Sequence, residues 1–286
     1  MIWFLFVLAL IYVVIAIIQD FKTTEISNWT NFSLVIFALA YRLFYSIFSG
    51  NYEVILFGII GFILFFILAY VFYYARIFAG GDAKLMIALG AVVLFGASVC
   101  ENTLLLFVFL IALLAGGAFY SLAYTFVIAF VKRKEFAKEF KKQVKVNKKI
   151  FLIFISIAVA LFVLMIIFNE ILFSLFSVVI LIFPILLIYT KAVENTCMIK
   201  SVDVRFLTVG DWMVNPIKIG KRIIKPHWEG ITEEQLKFIQ KHYKKKVVVK
   251  YGVPFSPAFL IALLVTIAIK VLGYSYWSFW QSCPFF

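Results

Sequence analysis

The sequence predicts an all-α polytopic membrane protein with about eight transmembrane helices and a small cytoplasmic α+β appendage. Hydrophobic residues make up 65% of the 286 positions and charged residues only 14%, which is more apolar side chain than a soluble domain of this size can bury. Long runs without charge are typical of transmembrane helices, each of which needs about 20 residues. The basic residues, by contrast, gather in two polar stretches.

Eight apolar runs are long enough to cross a membrane. The first is interpreted as a helix rather than a signal peptide, because it lacks a basic start and a small-residue cleavage site and because further spans follow. The predicted spans are 2–19, 31–49, 53–75, 83–100, 103–131, 150–168, 171–190 and 257–280.

These spans divide the chain into five predicted parts. They are a five-helix core at 1–131, a basic cytoplasmic loop at 132–149, a transmembrane helix pair at 150–190, a cytoplasmic α+β subdomain at 191–253 and a C-terminal transmembrane helix at 254–286. Within the subdomain, a capping box from Thr232 to Gln235 predicts a helix that continues to about His242.

The two basic stretches set the predicted topology. Residues 131–149 and 191–253 hold 9 and 13 of the 27 lysines and arginines, and cytoplasmic loops concentrate these residues. Counting spans from them places both termini outside and the loops that hold Asp20 and Asp82 on the cytoplasmic side. We therefore expect a multi-pass protein of the plasma membrane, with basic stretches that attract anionic lipids. Nucleic-acid binding is disfavoured, since the aromatic residues lie in the spans and not between the lysines.

Two aspartates are the candidate functional residues. Asp20 and Asp82 lie at the ends of hydrophobic helices, on the same predicted side, where an ionisable group is costly enough to indicate a function. Each also has a structural interpretation, because Asp20 could simply begin a hydrated loop and Asp82 could cap a helix N-terminus. As a pair on one surface they favour a functional site.

The chemistry of such a pair explains why two carboxyl groups are needed. Carboxyls within hydrogen-bonding distance cannot both ionise easily, so they share one proton. The ionised partner can take a proton from water while the neutral partner hydrogen-bonds a scissile carbonyl oxygen. Gly80 and Gly81, directly before Asp82, would permit unusual backbone angles and the close approach of a substrate chain.

The residues around both aspartates resemble a known family. Ala79-Gly80-Gly81-Asp82-Ala83-Lys84 resembles the G-x-G-D-x-K signature of membrane aspartyl proteases, specifically the prepilin and preflagellin (pre-archaellin) peptidases. The segment DFKTTEISN, residues 20–28, is similar to the other site of that family. YGVPFSPAFLIALL, residues 251–264, resembles the entry to the last helix of archaeal members. Ala79 replaces the first motif glycine, which is a mild change unless a positive φ is required there.

The resemblance implies an aspartic-type endopeptidase, with Asp20 and Asp82 catalytic. Supporting residues of the active-site loops would then be Lys22, Asn28, Ala79, Gly80, Gly81 and Lys84. The implied substrates are type IV pilin-like precursors of an archaeal pilus, with archaellin precursors as the alternative, cleaved at the cytoplasmic membrane boundary. Without a C-x-x-C pair we expect no zinc, no other cofactor and no N-methyltransferase activity.

Other interpretations remain open at this stage. A transporter or channel with a basic cytoplasmic domain would predict repeated halves, and no convincing repeat is found; a membrane scaffold would leave the two aspartates unexplained. Lys84 could lower the apparent pKa of the pair, anchor a leader carboxylate, or only extend to the lipid head groups. Arg42 and Lys270, inside predicted spans, are expected to extend to the outer interface. The sequence does not indicate an oligomeric state.

Overall fold

The structure is a computed structural model that describes residues 2–168, 171–220, 222–227 and 230–272. The described part of the chain is mainly helical. In chain order its helices are α1 (Ile2–Thr23), α2 (Asn28–Ser49), α3 (Glu53–Tyr74), α4 (Gly80–Val93), α5 (Val99–Val131), α6 (Arg133–Val146), α7 (Lys148–Phe168), α8 (Ile171–Cys197), α9 (Glu233–His242) and α10 (Ser256–Leu272).

The chain forms two compact units. The first contains Met1–Ala123 and the segment that begins at Pro254, and the second is Tyr124–Val253. The boundary between the two units falls within α5. The predicted C-terminal helix packs with the N-terminal helices of the first unit, where α10 contacts α1 and α4.

Six of the described helices are long and apolar enough to cross a membrane: α1, α2, α3, α5, α7 and α8. Helix α10 is apolar but has only 17 described residues, and the predicted extension of that span to residue 280 lies outside the described residues. The prediction of one continuous helix at 83–100 is wrong, because α4 ends after 14 residues and residues 94–96 have no regular structure.

Helix α4 is the centre of the first unit. It packs against α1, α2, α3 and α10, and its side chains from Leu85 to Val93 are almost all buried. Its closest neighbour is α3, where Gly61 faces Gly90. A Cβ added to Gly90 would lie 2.7 Å from the carbonyl oxygen of Gly61 and 2.5 Å from Cβ of Phe65, so the two helices can approach this closely only without side chains there.

Arg42 of α2 terminates α4. Its side chain is fully buried, so the expectation that it extends to the outer interface is wrong. It donates four hydrogen bonds of 2.8 to 2.9 Å to the carbonyl oxygens of Val54, Ala91, Val92 and Leu94. The last carbonyls of a helix have no partner within the helix. Arg42 therefore supplies the donors that the end of α4 lacks at membrane depth.

Lys270 also differs from its prediction. It forms an ion pair with Glu101 in the first turn of α5, and the Lys270 side chain is only 9% exposed. A buried ammonium is stable only when it is paired, which is why it does not extend to the interface. Near this pair, a cavity of ≈ 550 Å³ is lined by residues that include Glu53, Phe95 and Lys270.

The second unit contains helices α6 to α9. The segment 132–149, predicted as a loop, contains helix α6, whose residues Phe136 and Phe140 follow the four-residue helical spacing. Phe136 packs against Tyr189 of α8, and Asn195 of α8 donates a hydrogen bond of 3.0 Å to Glu139. The lysines of α6 remain exposed on its other side.

The polar part of the second unit combines strands with one short helix. The strands are β1 (Ile199–Val202), β2 (Trp212–Met213), β3 (Ile217–Ile219), β4 (Arg222–Ile224) and β5 (Val247–Lys250). Antiparallel pairing gives a sheet of order β1-β5-β2 and a hairpin of β3 and β4. The predicted capping box is present, since Thr232 accepts a hydrogen bond from the backbone of Gln235 at the start of α9.

Candidate active site

Asp20 lies in the last turn of α1, beside the short connection to α2. This connection is held by Gln19, whose side chain accepts from the backbone N–H of Ser27 at 3.0 Å and donates to Thr30 Oγ1 at 3.0 Å. Ser27 is the N-cap of α2 and accepts from the N–H of Thr30. The residue adjacent to Asp20 thus ties the end of α1 to the start of α2. Only 9% of Asp20 is exposed.

Asp82 lies in the first turn of α4, where its residue exposure is 8%. Its Oδ2 accepts a hydrogen bond of 3.3 Å from the backbone N–H of Ala79, the N-cap residue. Asp82 is therefore not the N-cap of α4, as the structural interpretation had it, but the third helical residue, whose side chain accepts from the N-cap backbone. Ala79 has φ −74° and ψ 165°, an extended conformation that alanine adopts without strain.

The two motif glycines have a different local role from the one predicted. Gly80 and Gly81 are helical residues of α4 and neither has a positive φ, so the expected unusual backbone angles are absent. A Cβ on Gly80 would meet nothing within 4 Å, and one on Gly81 would meet Ile26 at 3.5 Å, an ordinary contact. Of the two glycines, only Gly80 therefore borders open space.

The two aspartates interact electrostatically although 62 residues separate them in the chain. Burial of Asp82 and, to a lesser extent, the negative charge of Asp20 raise the pKa of the Asp82 carboxyl group to about 7, although the N–H of Ala79 acts in the opposite direction. A carboxyl group with such a pKa can hold a proton near neutral pH and release it again. The two loops thus place the carboxyl groups of Asp20 and Asp82 close enough for the charge of one to act on the other.

Two of the supporting residues connect these loops. Lys84 of α4 donates a hydrogen bond of 2.6 Å from Nζ to Oδ1 of Asn28, the first residue of α2. The hydrogen bond therefore links the two segments that carry the aspartates. Lys22 is exposed in the last turn of α1 and, within the described part of the chain, donates to neither carboxyl group.

Comparison with known proteins shows which protein family this part of the chain is similar to. Residues 4–122 match the model of the type IV leader peptidase family, and this range includes both aspartates and both loops.

Similar individual proteins are preflagellin peptidases of methanogens. The chain is 36% identical over 80 residues to the preflagellin peptidase of Methanococcus maripaludis, which covers 28% of this chain and 34% of the relative. It is 35% identical over 88 residues to that of Methanocaldococcus jannaschii, 31% of this chain and 37% of the relative. It is 32% identical over 88 residues to that of Methanococcus voltae, with the same coverage. The chain thus spans about a third of the length of the curated relatives it matches.

One contact of the site comes from outside the leader peptidase match. The backbone N–H of Ser256, the first residue of α10, donates to Oδ2 of Asp20 at 3.2 Å. Phe78, just before the motif, packs against Phe255 and Phe259 with ring centroids 5.4 and 5.8 Å apart. Sequence reasoning missed Ser256, although the resemblance of 251–264 to a last-helix entry had marked this segment.

Proposed function

We propose that this protein is a membrane aspartic endopeptidase that removes the leader peptide of archaellin-like or type IV pilin-like precursors. The observation that carries the proposal is the pair of buried carboxyl groups, Asp20 and Asp82, with the pKa of Asp82 raised towards neutrality by burial and by Asp20. The match of residues 4–122 to type IV leader peptidases supports the reaction class.

The relatives favour archaellin precursors as substrates. All three similar proteins are preflagellin peptidases, whereas the sequence analysis had put pilin-like precursors first. We therefore take a precursor with a short charged leader before a hydrophobic helix as the substrate, and an archaellin precursor as its preferred form. Cleavage on the cytoplasmic side of the plasma membrane, without a methyl-transfer step, is part of this proposal.

The mechanism follows from a pair that carries one proton. The ionised carboxylate takes a proton from a water molecule as the water oxygen bonds to the scissile carbonyl carbon. The neutral carboxyl group hydrogen-bonds the carbonyl oxygen and stabilises the charge that develops on it. As the tetrahedral intermediate collapses, the carbon–nitrogen bond breaks and the leaving nitrogen receives a proton from the pair. The free space at Gly80 lets the substrate backbone approach Asp82.

A cleavage assay with purified full-length protein tests the proposal. Wild-type protein in detergent is mixed with an archaellin precursor and a pilin precursor, and cleavage is followed by mass spectrometry. Asp20→Asn and Asp82→Asn should each lower the rate about a thousandfold, because either substitution removes one partner of the acid–base pair. Asp203→Asn, at a partly exposed aspartate of the second unit, is the matched control and should leave the rate unchanged.

Three results would contradict the proposal. They are cleavage of neither precursor by the wild type, unchanged cleavage after either substitution, and ion flux into liposomes that depends on Asp82 without any proteolysis. Cleavage of the pilin precursor alone would contradict only the substrate preference.

A further inference from the structure

Ser256 combines two features that the cleavage mechanism does not yet use. Its backbone N–H donates to Oδ2 of Asp20, and its hydroxyl group, in a fully buried residue, has no hydrogen-bond partner among the described residues. A buried polar group without a partner is costly and therefore requires an explanation in a native protein.

A second buried hydroxyl in the same helix makes the contrast clear. Thr266 of α10 is also fully buried, but its Oγ1 donates to the carbonyl oxygen of Ala262, one turn earlier, at 2.7 Å. Ser256 is the first residue of α10, so no preceding helical turn offers it a carbonyl oxygen. An acceptor must come from another element, and the carboxylate that already accepts from the N–H of Ser256 is Asp20.

The covalent geometry of serine allows both donors to serve one carboxylate. The backbone nitrogen and Oγ of a serine are joined through only two carbon atoms, so they can donate to one or both oxygens of the same anion, as they do at helix N-termini that bind anions. The hydroxyl group can change its direction by rotation about χ1 among three staggered positions.

We propose that Ser256 is a positioning residue of the peptidase site, and that its N–H and hydroxyl group together hold Asp20 as the ionised partner of the pair. Asp20 is then the base that takes the proton from water, and Asp82 is the neutral partner that hydrogen-bonds the carbonyl oxygen. The raised pKa of Asp82 agrees with this division of roles. The inference rests on the proposed proteolytic function and adds to it a residue outside the family match.

The test compares three single variants of the full-length protein with the wild type in the precursor-cleavage assay. In Ser256→Ala, the hydroxyl group is lost and the backbone donor remains, so kcat should fall about ten- to hundredfold, the effect of one hydrogen bond to a charged group. KM should change less than about twofold, since Ser256 acts on Asp20 and not on the substrate. Ser256→Thr, which keeps the hydroxyl group, should restore most of kcat.

Thr266→Val is the matched control, because it removes a buried hydroxyl group from the same helix without affecting the aspartates, and its kcat should remain within about twofold of the wild type. Thermal unfolding in detergent identifies any variant that does not fold. If the extra methyl group of Ser256→Thr prevents folding, Ser256→Cys, with a weaker donor at the same position, should give an intermediate kcat.

The outcomes separate this inference from the function on which it rests. If the wild type cleaves a precursor and Ser256→Ala keeps the full kcat, or changes KM alone, or loses no more than Thr266→Val, the role of Ser256 is wrong and the peptidase stands. If the wild type cleaves no precursor, the proposed function fails and the role of Ser256 fails with it.

Discussion

The buried ionisable groups at the two ends of the helix bundle in the first unit differ in how many polar partners they have. At the arginine end, formed by Arg42, Glu101 and Lys270, the guanidinium group has four carbonyl acceptors and the ammonium group has a carboxylate. At the aspartate end, formed by Asp20 and Asp82, each carboxyl group accepts one backbone hydrogen bond among the described residues.

This difference distinguishes a structural charge from a chemical one. A buried ion with every partner in place is held in one protonation state, and changing it destabilises the fold. A buried carboxyl group with few donors can gain and lose a proton, which is the property that acid–base catalysis requires. On the proposed function, substitutions at the arginine end should therefore lower stability, whereas substitutions at the aspartate end should lower activity.

The largest effect on stability is expected for Arg42→Met. It removes the donor to three carbonyl groups at the end of α4 and an additional donor to Val54 in α3, and leaving a buried acceptor unsatisfied costs about 1–3 kcal/mol. We expect the free energy of unfolding to fall by at least about 3–5 kcal/mol, measured by reversible denaturation in mixed micelles. Arg133→Met, at an exposed position of α6, is the control and should change it by less than about 0.5 kcal/mol. Equal stability of the two variants would refute the role of Arg42.

A smaller effect is expected from pH at the aspartate end. The pKa of Asp82 is raised in the folded protein to about 7, while an unfolded aspartate titrates near about 4. Its favourable contribution is thus fully present below pH about 4 and is lost as the pH rises to about 7.

The wild-type unfolding temperature should therefore fall between pH 5 and pH 8, and this fall should be smaller in Asp82→Asn, whose amide does not titrate. Asp203→Asn is again the control, because the pKa of Asp203 is lowered and the group stays ionised throughout this range. A pH dependence that is identical in Asp82→Asn and the wild type would show that Asp82 is not the titrating group.

The smallest effect is expected at the contact between α3 and α4. Gly90→Ala would place a methyl group against Gly61 and Phe65, and overpacking of this kind costs about 1–3 kcal/mol. Gly80→Ala, in the same helix but with nothing within 4 Å, should be neutral or slightly stabilising. Measuring the free energy of unfolding of both variants in the same detergent checks this prediction. An unchanged free energy of unfolding for Gly90→Ala would mean that α3 and α4 are not in close contact at Gly90.

Much of the bundle could be predicted from the sequence. The long helices α1, α2, α3, α5, α7 and α8 follow from uncharged runs of sufficient length, and the meeting of Asp20 and Asp82 followed from counting the spans that separate them from the basic stretches. Both inferences use composition and order along the chain, which a sequence contains directly.

What could not be predicted depends on contacts between distant residues. Residues 94–96 are apolar or small like those before them, so the end of α4 becomes visible only with Arg42, about 50 residues earlier in the chain. The contact between Asp20 and Ser256 spans 236 residues. Helix α6, by contrast, was missed although Phe136 and Phe140 have helical spacing, because its many lysines favoured a loop.

The short length of α4 has a consequence for how the site tolerates different lipids. At 1.5 Å per residue α4 is about 21 Å long, less than the hydrocarbon thickness of about 30 Å. Arg42, which binds the C-terminal end of α4, lies about 10 Å along α2 before its last residue, Ser49. A bilayer of another thickness tilts the helices that touch acyl chains, but α4 is enclosed by its neighbours. We therefore expect the position of Asp82 relative to the helices that pack against α4 to change little with bilayer thickness.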